Sequence, residues 1–219
     1  MDLHGKKTLI ILGGMWHDFE GFAAAHRPLL EAAGCQVEAT YDLDMLTRLP
    51  ELGVDVVISY TSLSKHREGQ NDTGPEQLTD AQVNGLAGWV CAGGSLLAAH
   101  SATVVGSSNP DLGRLMGGVF ESHPPQFAFT VVPLYGEHPI TAGVEAFTVH
   151  DEFYIQRLVT PVDIHMAAFD RGYAYPMVWS KTEGLGRVVH LAMGHSALVW
   201  DLPLYQRLFM QSMQWLINK

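Results

Sequence analysis

The sequence predicts an α/β protein with a mainly parallel sheet that gains antiparallel strands in the second half of the chain. Over the first hundred residues, short apolar segments alternate with helical patterns, which is typical of right-handed β–α–β crossovers. After Gln126, five strand-like segments follow one another with little helix between them, which favours hairpins at one edge of the sheet. An amphipathic pattern from Leu202 to Ile217 predicts a closing helix.

The first half of the chain contains four predicted strands and two predicted helices. The strands are "TLIILGG" (8–14), "QVEATY" (36–41), "VDVVISY" (54–60) and "SLLAAH" (95–100). One helix runs from Phe19 to Ala33 and ends at Gly34, and the other begins at a cap on Thr79 or Asp80. The polar segment between Ser62 and Pro75 predicts an exposed loop.

The second half contributes the antiparallel additions, and nothing in the chain indicates a domain boundary. The segments are "QFAFTVVPL", "AFTVHDEFY", "VDIHMAAF", "YPMVWSKTEG" and "GRVVHLAMGH". Because there is no internal repeat, low-complexity tract or linker, we expect a single domain over residues 1–219. An antiparallel edge strand could pair with a second copy, so a homodimer is one expectation.

Composition excludes several classes of partner. Apolar residues make up 47% of the 219 residues, and the formal net charge is −10 with only 13 Lys and Arg. Without a basic block, neither nucleic acid nor an anionic membrane surface is an expected partner, so a neutral small molecule is favoured. The two cysteines, Cys35 and Cys91, lack metal-ligand spacing and are expected to be buried without a disulfide. Together with an amino-terminal apolar run too short to span a bilayer, this predicts a cytoplasmic protein.

The chain has 11 histidines, and they divide by context. His4, His26 and His66 lie in a tail, a helix and a polar loop, where we expect surface positions. His165 and His190 lie inside strand patterns and are expected to be structural.

Three other histidines each follow an apolar strand. His17 comes after the first strand, His100 ends the "SLLAAH" strand, and His195 closes "LAMGH". The carboxyl ends of parallel strands meet along one edge of a sheet, where α/β proteins bind ligands. If the three strands are parallel neighbours, these imidazoles lie along one edge, and we expect them to share one site.

Two adjacent carboxylates extend this candidate site. Asp151 and Glu152 would point to opposite faces of a strand, so only one of them can easily address the imidazoles. We expect this one to be Glu152, on the same face as Tyr154, with His17, His100, Glu152 and His195 as the catalytic set. Asp151 is either a substrate contact or a structural cap. The expected substrate-binding residues are Trp16, Asp18, Ser101, His123, Asp151 and Tyr154.

The catalytic set could also hold a metal ion. Three imidazoles and one carboxylate would suit zinc or manganese, with His17, His100, Glu152 and His195 as ligands. The chain has no H-x-x-x-H pair, so metal-free acid–base chemistry remains the alternative. No other cofactor is expected.

An ordered set of motifs, covering close to the whole chain, resembles the ThuA-like (trehalose utilisation) family. The motifs are "HDFEGF" (17–22), "GGSLLAAHSA" (93–102), "LMGGVFESHP" (115–124), "EHPITAGVEAFTVHDEFY" (137–154), "PMVW" (176–179), "GLGRVVHLAMGH" (184–195) and "WL" (215–216). The resemblance implies a flavodoxin-like three-layer α/β sandwich related to class I glutamine amidotransferases. In those relatives a Cys nucleophile follows the central strand and a His near the carboxyl terminus activates it.

This chain departs from the amidotransferases at the nucleophile. His100 or Ser101 lies where the Cys would be and His195 lies where its partner would be, so we do not expect a functional glutamine amidotransferase. Imidazole is a proton shuttle or a metal ligand, and a poor acyl carrier. Ser101 activated by His195 is an alternative nucleophile, but "AHSAT" lacks the glycines of a strained nucleophile elbow.

The resemblance implies carbohydrate metabolism, with a sugar or keto-sugar related to trehalose as the small-molecule partner. Because a keto group acidifies the neighbouring C–H, a positioned His or Glu could catalyse isomerisation or elimination. The alternatives are a non-catalytic sugar-binding or assembly protein that uses the same crevice, and a Ser101 hydrolase. Fold likeness does not choose among them.

Overall fold

A nine-stranded sheet forms the centre of the computed structural model, which describes residues 3–66, 74–105, 109–134 and 138–218. The strands of this sheet and of a smaller, two-stranded sheet are numbered together in chain order. They are β1 Lys7–Gly14, β2 Gln36–Thr40, β3 Val56–Ser62, β4 Ser95–Ala99, β5 Gly118–Ser122, β6 Phe127–Pro133, β7 Phe147–Asp151, β8 Ile155–Leu158, β9 Asp163–Asp170, β10 Tyr173–Glu183 and β11 Gly186–Leu191. The helices are α1 Phe19–Ala32, α2 Leu49–Leu52, α3 Asp80–Cys91, α4 Pro110–Met116, α5 Ala197–Trp200 and α6 Pro203–Ile217, with 3₁₀ turns at Leu43–Thr47 and His100–Thr103.

The strand order β2-β1-β3-β4-β11-β10-β9-β6-β7 divides the large sheet into two halves. The first five strands are mutually parallel, and the remaining four continue the sheet with antiparallel pairings. This confirms the predicted α/β architecture with antiparallel additions at one edge. β11, predicted among those additions, pairs parallel with β4 and antiparallel with β10, so it joins the two halves.

Two apolar layers cover the two faces of the sheet, as a three-layer sandwich requires. On β1, Ile10 and Leu12 face a core shared with α1 and α6, whereas Leu9 and Ile11 face a core shared with α3 and α4. The period-two alternation arises because successive side chains of a strand point to opposite faces. No helix among the described residues is long and apolar enough to cross a lipid bilayer.

A second, two-stranded sheet was not predicted from the sequence. β5 pairs antiparallel with β8, with Gly118 opposite Leu158 and Ser122 opposite Ile155. Both strands are short and only partly buried, so they lack the alternating apolar pattern that reveals a strand. The sheet places the turn after β5 beside the segment that joins β7 to β8.

Two predicted burial states are wrong. His26, on α1, is 1% exposed and faces the core. Burial is tolerated because its Nδ1 is 2.8 Å from the carbonyl oxygen of Phe22 and its ring packs on aromatic neighbours. Cys91 is exposed at the end of α3, whereas Cys35 is buried as expected. The predicted structural positions of His165 and His190 agree with their burial.

Acid is expected to destabilise the protein partly through His26. Burial lowers the pKa of His26 to about 4, so between pH 6.5 and 4 the unfolded chain takes up a proton that the folded chain does not. The free energy of unfolding should therefore fall as the pH is lowered through this window, by about 3 kcal/mol at pH 4 from this group. His26→Leu should remove that part of the pH dependence in urea titrations. The exposed His4→Leu should leave it unchanged, and equal slopes for the wild type and His26→Leu would contradict the assignment.

Candidate metal centre

The candidate site lies at the carboxyl ends of three parallel strands. His17 follows β1, His100 follows β4 and His195 follows β11, as predicted. Glu152 reaches the same place from the antiparallel half, directly after β7. One ligand atom from each of these four residues lies within 4.8 Å of the other three. Residues that are far apart in the sequence therefore meet in one cluster.

The loop after β1 directs His17 into the cluster through two unusual backbone conformations. Gly14 has φ +107°, and a Cβ at this position would collide with the carbonyl oxygen of Ser62. Trp16 has φ +74°, which is rare for a residue with a side chain. Nδ1 of His17 is 3.0 Å from the carbonyl oxygen of Met15, so this nitrogen carries the hydrogen and donates it. Its Nε2 is left with a lone pair that faces the cluster.

His100 occupies a strained turn directly after β4. Its φ of +41° lies in the left-handed region, so a sharp turn forms here without flanking glycines. Nδ1 of His100 is 2.6 Å from the carbonyl oxygen of Ala192 and donates to it, which again leaves Nε2 facing inward. The ring of His100 is fully buried and stacks on Tyr154 with centroids 4.1 Å apart.

Asp151 holds the segment that carries His195. The carboxylate accepts hydrogen bonds from the backbone N–H groups of Gly194 and His195, at 2.7 and 3.2 Å. The carbonyl oxygen of Gly194 in turn accepts from Trp200 Nε1 at 2.7 Å and from the Tyr60 hydroxyl at 3.1 Å. These contacts fix the backbone of His195, whose Nδ1 then faces the cluster.

Glu152 lies between the imidazoles. Its Oε2 is 3.4 Å from Nε2 of His100, 3.3 Å from Nδ1 of His195 and 3.9 Å from Nε2 of His17. Because β7 ends at Asp151, Glu152 is outside the strand, and the predicted strand spacing does not apply to it. The outcome is nevertheless the expected one, since Glu152 rather than Asp151 addresses the imidazoles.

The electrostatics of the cluster favour a neutral imidazole at His17 beside an ionised carboxylate at Glu152. Burial, reinforced by His100, lowers the pKa of His17 to about 3, so its lone pair is available at neutral pH. Burial acts to raise the pKa of Glu152, but the contacts with His100 and His195 outweigh it and hold this pKa far below its usual range. The adjacent Glu152 carboxylate raises the pKa of His195 against the effect of burial.

This donor set fits a divalent cation. Nε2 of His100 and Nδ1 of His195 are buried and lack a well-formed hydrogen bond to any described residue. In a tetrahedral site with metal–ligand bonds of about 2.0–2.1 Å, ligand atoms are about 3.4 Å apart. The separations of 3.3 and 3.4 Å from Glu152 Oε2 match that spacing, whereas the separation from Nε2 of His17 is wider, at 3.9 Å. The hydrogen bonds from Nδ1 to backbone carbonyls at His17 and His100 are the outer contacts that usually orient metal-binding imidazoles.

A cavity of about 640 Å³ opens onto the cluster. Its lining consists of Trp16, His17, Ser62, Ser64, Val104, Phe120, Glu121, Ser122, His123, Glu152, Tyr154 and His195. The size is typical of small-molecule sites. Trp16, a predicted substrate contact, is 55% exposed and lines this cavity.

Three predicted substrate contacts lie outside the cavity lining. Asp18 caps α1 by accepting a hydrogen bond from the backbone N–H of Gly21, and Asp151 is buried behind His195 as described. Ser101 is fully buried, and its Oγ makes no hydrogen bond to any described residue. Because Ser101 is buried and does not line the cavity, the geometry gives no support to a Ser101 hydrolase.

Sequence reasoning missed groups whose roles depend on backbone position. The carbonyl oxygens of Met15 and Ala192 orient His17 and His100, and carbonyl groups carry no residue-specific signal. Phe120 and Ser122 line the cavity from the unpredicted strand β5. The motif around "VFES" was the only available signal for them.

Comparisons with known proteins agree with this architecture. A family model described as "ThuA: Trehalose utilisation" matches residues 7–216. A ThuA-like protein from Bacteroides uniformis superposes with a TM-score of 0.77 at 19% identity, over 98% of this chain and 92% of that one. One from Parabacteroides merdae has a TM-score of 0.77 at 18% identity, over 97% and 90%.

A more distant solved structure is a protein from Salmonella typhimurium described as cytoplasmic. It has a TM-score of 0.63 at 14% identity, over 98% of this chain and the whole of that one. At such identities the likeness shows the fold alone. Comparison with curated proteins gave no match.

Proposed function

Because the chain belongs to the ThuA (trehalose utilisation) family, we propose that it is an enzyme of carbohydrate metabolism that uses a divalent metal ion to act on a trehalose-related sugar or keto-sugar. The convergence of His17, His100, Glu152 and His195 within 4.8 Å carries this proposal. Zinc or manganese suits three imidazoles and one carboxylate. A cytoplasmic location is part of the proposal and is supported by the description of the Salmonella relative.

The residues around the cluster can bind and polarise a sugar carbonyl group. When bound, a divalent cation would act as a Lewis acid toward that oxygen. Burial raises the pKa of Tyr154 well above its usual value, so its hydroxyl keeps its proton at neutral pH and can donate to a substrate oxygen. This hydroxyl is 3.4 Å from Nε2 of His17, and Tyr154 lines the cavity. The aromatic face of Trp16 could pack on the C–H face of a sugar ring.

The proposal is tested first by metal content. Protein purified without a histidine tag and incubated with zinc or manganese should retain about one ion per chain by mass spectrometry. The double variant His100→Ala/His195→Ala should retain none. The matched control is the exposed His150→Ala on β7, which should bind as the wild type does.

Turnover distinguishes an enzyme from a sugar-binding protein. With trehalose oxidised to a ketone at carbon 3 as the probe, the metal-loaded wild type should convert it, and chelation should abolish the conversion. A protein that is thermally stabilised by the probe yet never converts it would establish the binding alternative. Metal-free protein of undiminished activity would refute the metal requirement.

A further inference from the structure

We propose that His123 is the general acid–base catalyst of this site and that its Nε2 carries the proton removed from the carbon next to the carbonyl group of a keto-sugar. This inference rests on the proposed function. His123 lies in the turn after β5 and lines the same cavity as the cluster, but it is not one of the four converging residues. Its side chain is 35% exposed, so a substrate in the cavity can touch it.

The two oxygen atoms of Glu152 face different histidines. Oε2 faces the imidazoles of the cluster, whereas Oε1 is 3.6 Å from Nε2 of His123. The carboxylate can therefore contribute one oxygen to the metal set while its other oxygen lies beside His123. This places Nε2 of His123 next to the proposed metal set, where a carbonyl compound bound at the cluster would present its neighbouring C–H group.

The backbone fixes which nitrogen of His123 is available. Nδ1 is 2.9 Å from the carbonyl oxygen of Pro124 and donates its hydrogen there. Nε2 of the neutral ring therefore carries the lone pair, on the side of Glu152. The ring lies at 24° to that of Tyr154, with centroids 5.8 Å apart, and its other aromatic neighbour is Phe120, also at 5.8 Å.

The small sheet gives this arrangement its rigidity. Ser122, which precedes His123, pairs with Ile155, which follows Tyr154. The pairing of β5 with β8 thus ties the turn that carries His123 to the segment that carries Glu152 and Tyr154.

The other histidines of the cavity are less suited to the task. The ring of His17 is only 4% exposed, and its lone pair points into the cluster. His195 faces the cluster through Nδ1. A neutral imidazole that binds a metal through Nδ1 carries its hydrogen on Nε2, so His195 would have no nitrogen left to accept a proton.

The proposed step is balanced without any further reactant. The C–H bond next to the carbonyl group breaks and its proton moves to Nε2 of His123. The C–H electron pair forms a C=C bond, and the π pair of the carbonyl group moves to its oxygen, which gives an enediolate. The return of a proton from His123 to carbon restores a carbonyl compound. In D₂O the returning hydrogen is deuterium, so the step is visible as exchange at that carbon.

The experiment follows this exchange in trehalose oxidised at carbon 3, by NMR, with metal-loaded protein. His123→Ala and His123→Gln should lower the exchange rate by about 10²- to 10⁴-fold, the usual contribution of an acid–base group. Both variants should keep the wild-type metal stoichiometry. Added imidazole should partly restore exchange in His123→Ala, where there is room for it, and should not do so in His123→Gln. The control His150→Ala should exchange at the wild-type rate.

The outcomes separate this inference from the proposed function. Unchanged exchange in both His123 variants would overturn the inference, and so would a metal-loaded wild type that never exchanges the proton. Loss of the metal in His123→Ala would also overturn it, because His123 would then be a ligand. A wild type that binds no metal yet shows exchange dependent on His123 would sustain the inference and refute the metal centre.

Discussion

Replacement of Glu152 with Gln is expected to weaken the binding of zinc or manganese by more than about 100-fold. Loss of an outer contact to a metal ligand usually costs about 10- to 100-fold in affinity, and Glu152 would be a ligand itself. It is also the only one of the four converging residues that supplies a full negative charge. The amide keeps nearly the same shape, so the fold should survive. Competition with a chromophoric chelator measures the affinity.

Glu121→Gln is a matched control for this substitution. Glu121 lines the same cavity and the change removes the same charge, but its Oε1 pairs with Nε of Arg157 at 2.9 Å, away from the cluster. Its metal affinity should stay within about threefold of the wild type, since an exposed charge acts weakly through solvent. Equal losses in the two variants would mean that general charge, not ligation, attracts the ion.

Asp151→Ala is expected to lower the free energy of unfolding by about 3–5 kcal/mol. The substitution leaves two inward-facing N–H groups without an acceptor, which costs about 1–3 kcal/mol for each group, and it also removes packed atoms. The stability of a typical domain is about 5–15 kcal/mol, so the loss is severe. The N–H groups are those of Gly194 and His195, so the imidazole of His195 should also lose its position. Urea denaturation of the metal-free protein measures the first effect, and metal titration the second.

Asp201→Ala provides the comparison for Asp151→Ala. Asp201 is exposed at the end of α5, close in sequence to the same segment, and its removal should change stability by less than about 0.5 kcal/mol. If Asp151→Ala lost no more than this, the carboxylate could not be what holds the turn at Gly194.

The shared location of His17 and His100 could be predicted because each follows a strand of the parallel part of the sheet, and parallel strands end at one edge. His195 joins them because β11, expected among the antiparallel additions, pairs parallel with β4. Strand direction does not determine which of the two carboxylates, Asp151 or Glu152, faces the imidazoles. β7 stops at Asp151, and beyond it the chain no longer alternates, so the roles of Asp151 and Glu152 depend on tertiary contacts.

The errors have physical causes of the same kind. His26 is polar by residue type, yet the carbonyl oxygen of Phe22 one helical turn earlier satisfies its Nδ1 and permits burial. The pairing of β5 with β8 joins segments more than thirty residues apart that carry few buried side chains. Such pairings depend on tertiary contacts, and no local sequence pattern indicates them.

The position of β11 has a consequence for assembly of the sheet and the site. β11 is the last of the nine strands in chain order, and it lies fifth in the sheet, between β4 and β10. Without β11 in place, no described strand joins the two halves of the sheet, and the site lacks the imidazole of His195. A metal ion that needs all four ligands therefore binds only the folded chain and stabilises only that state.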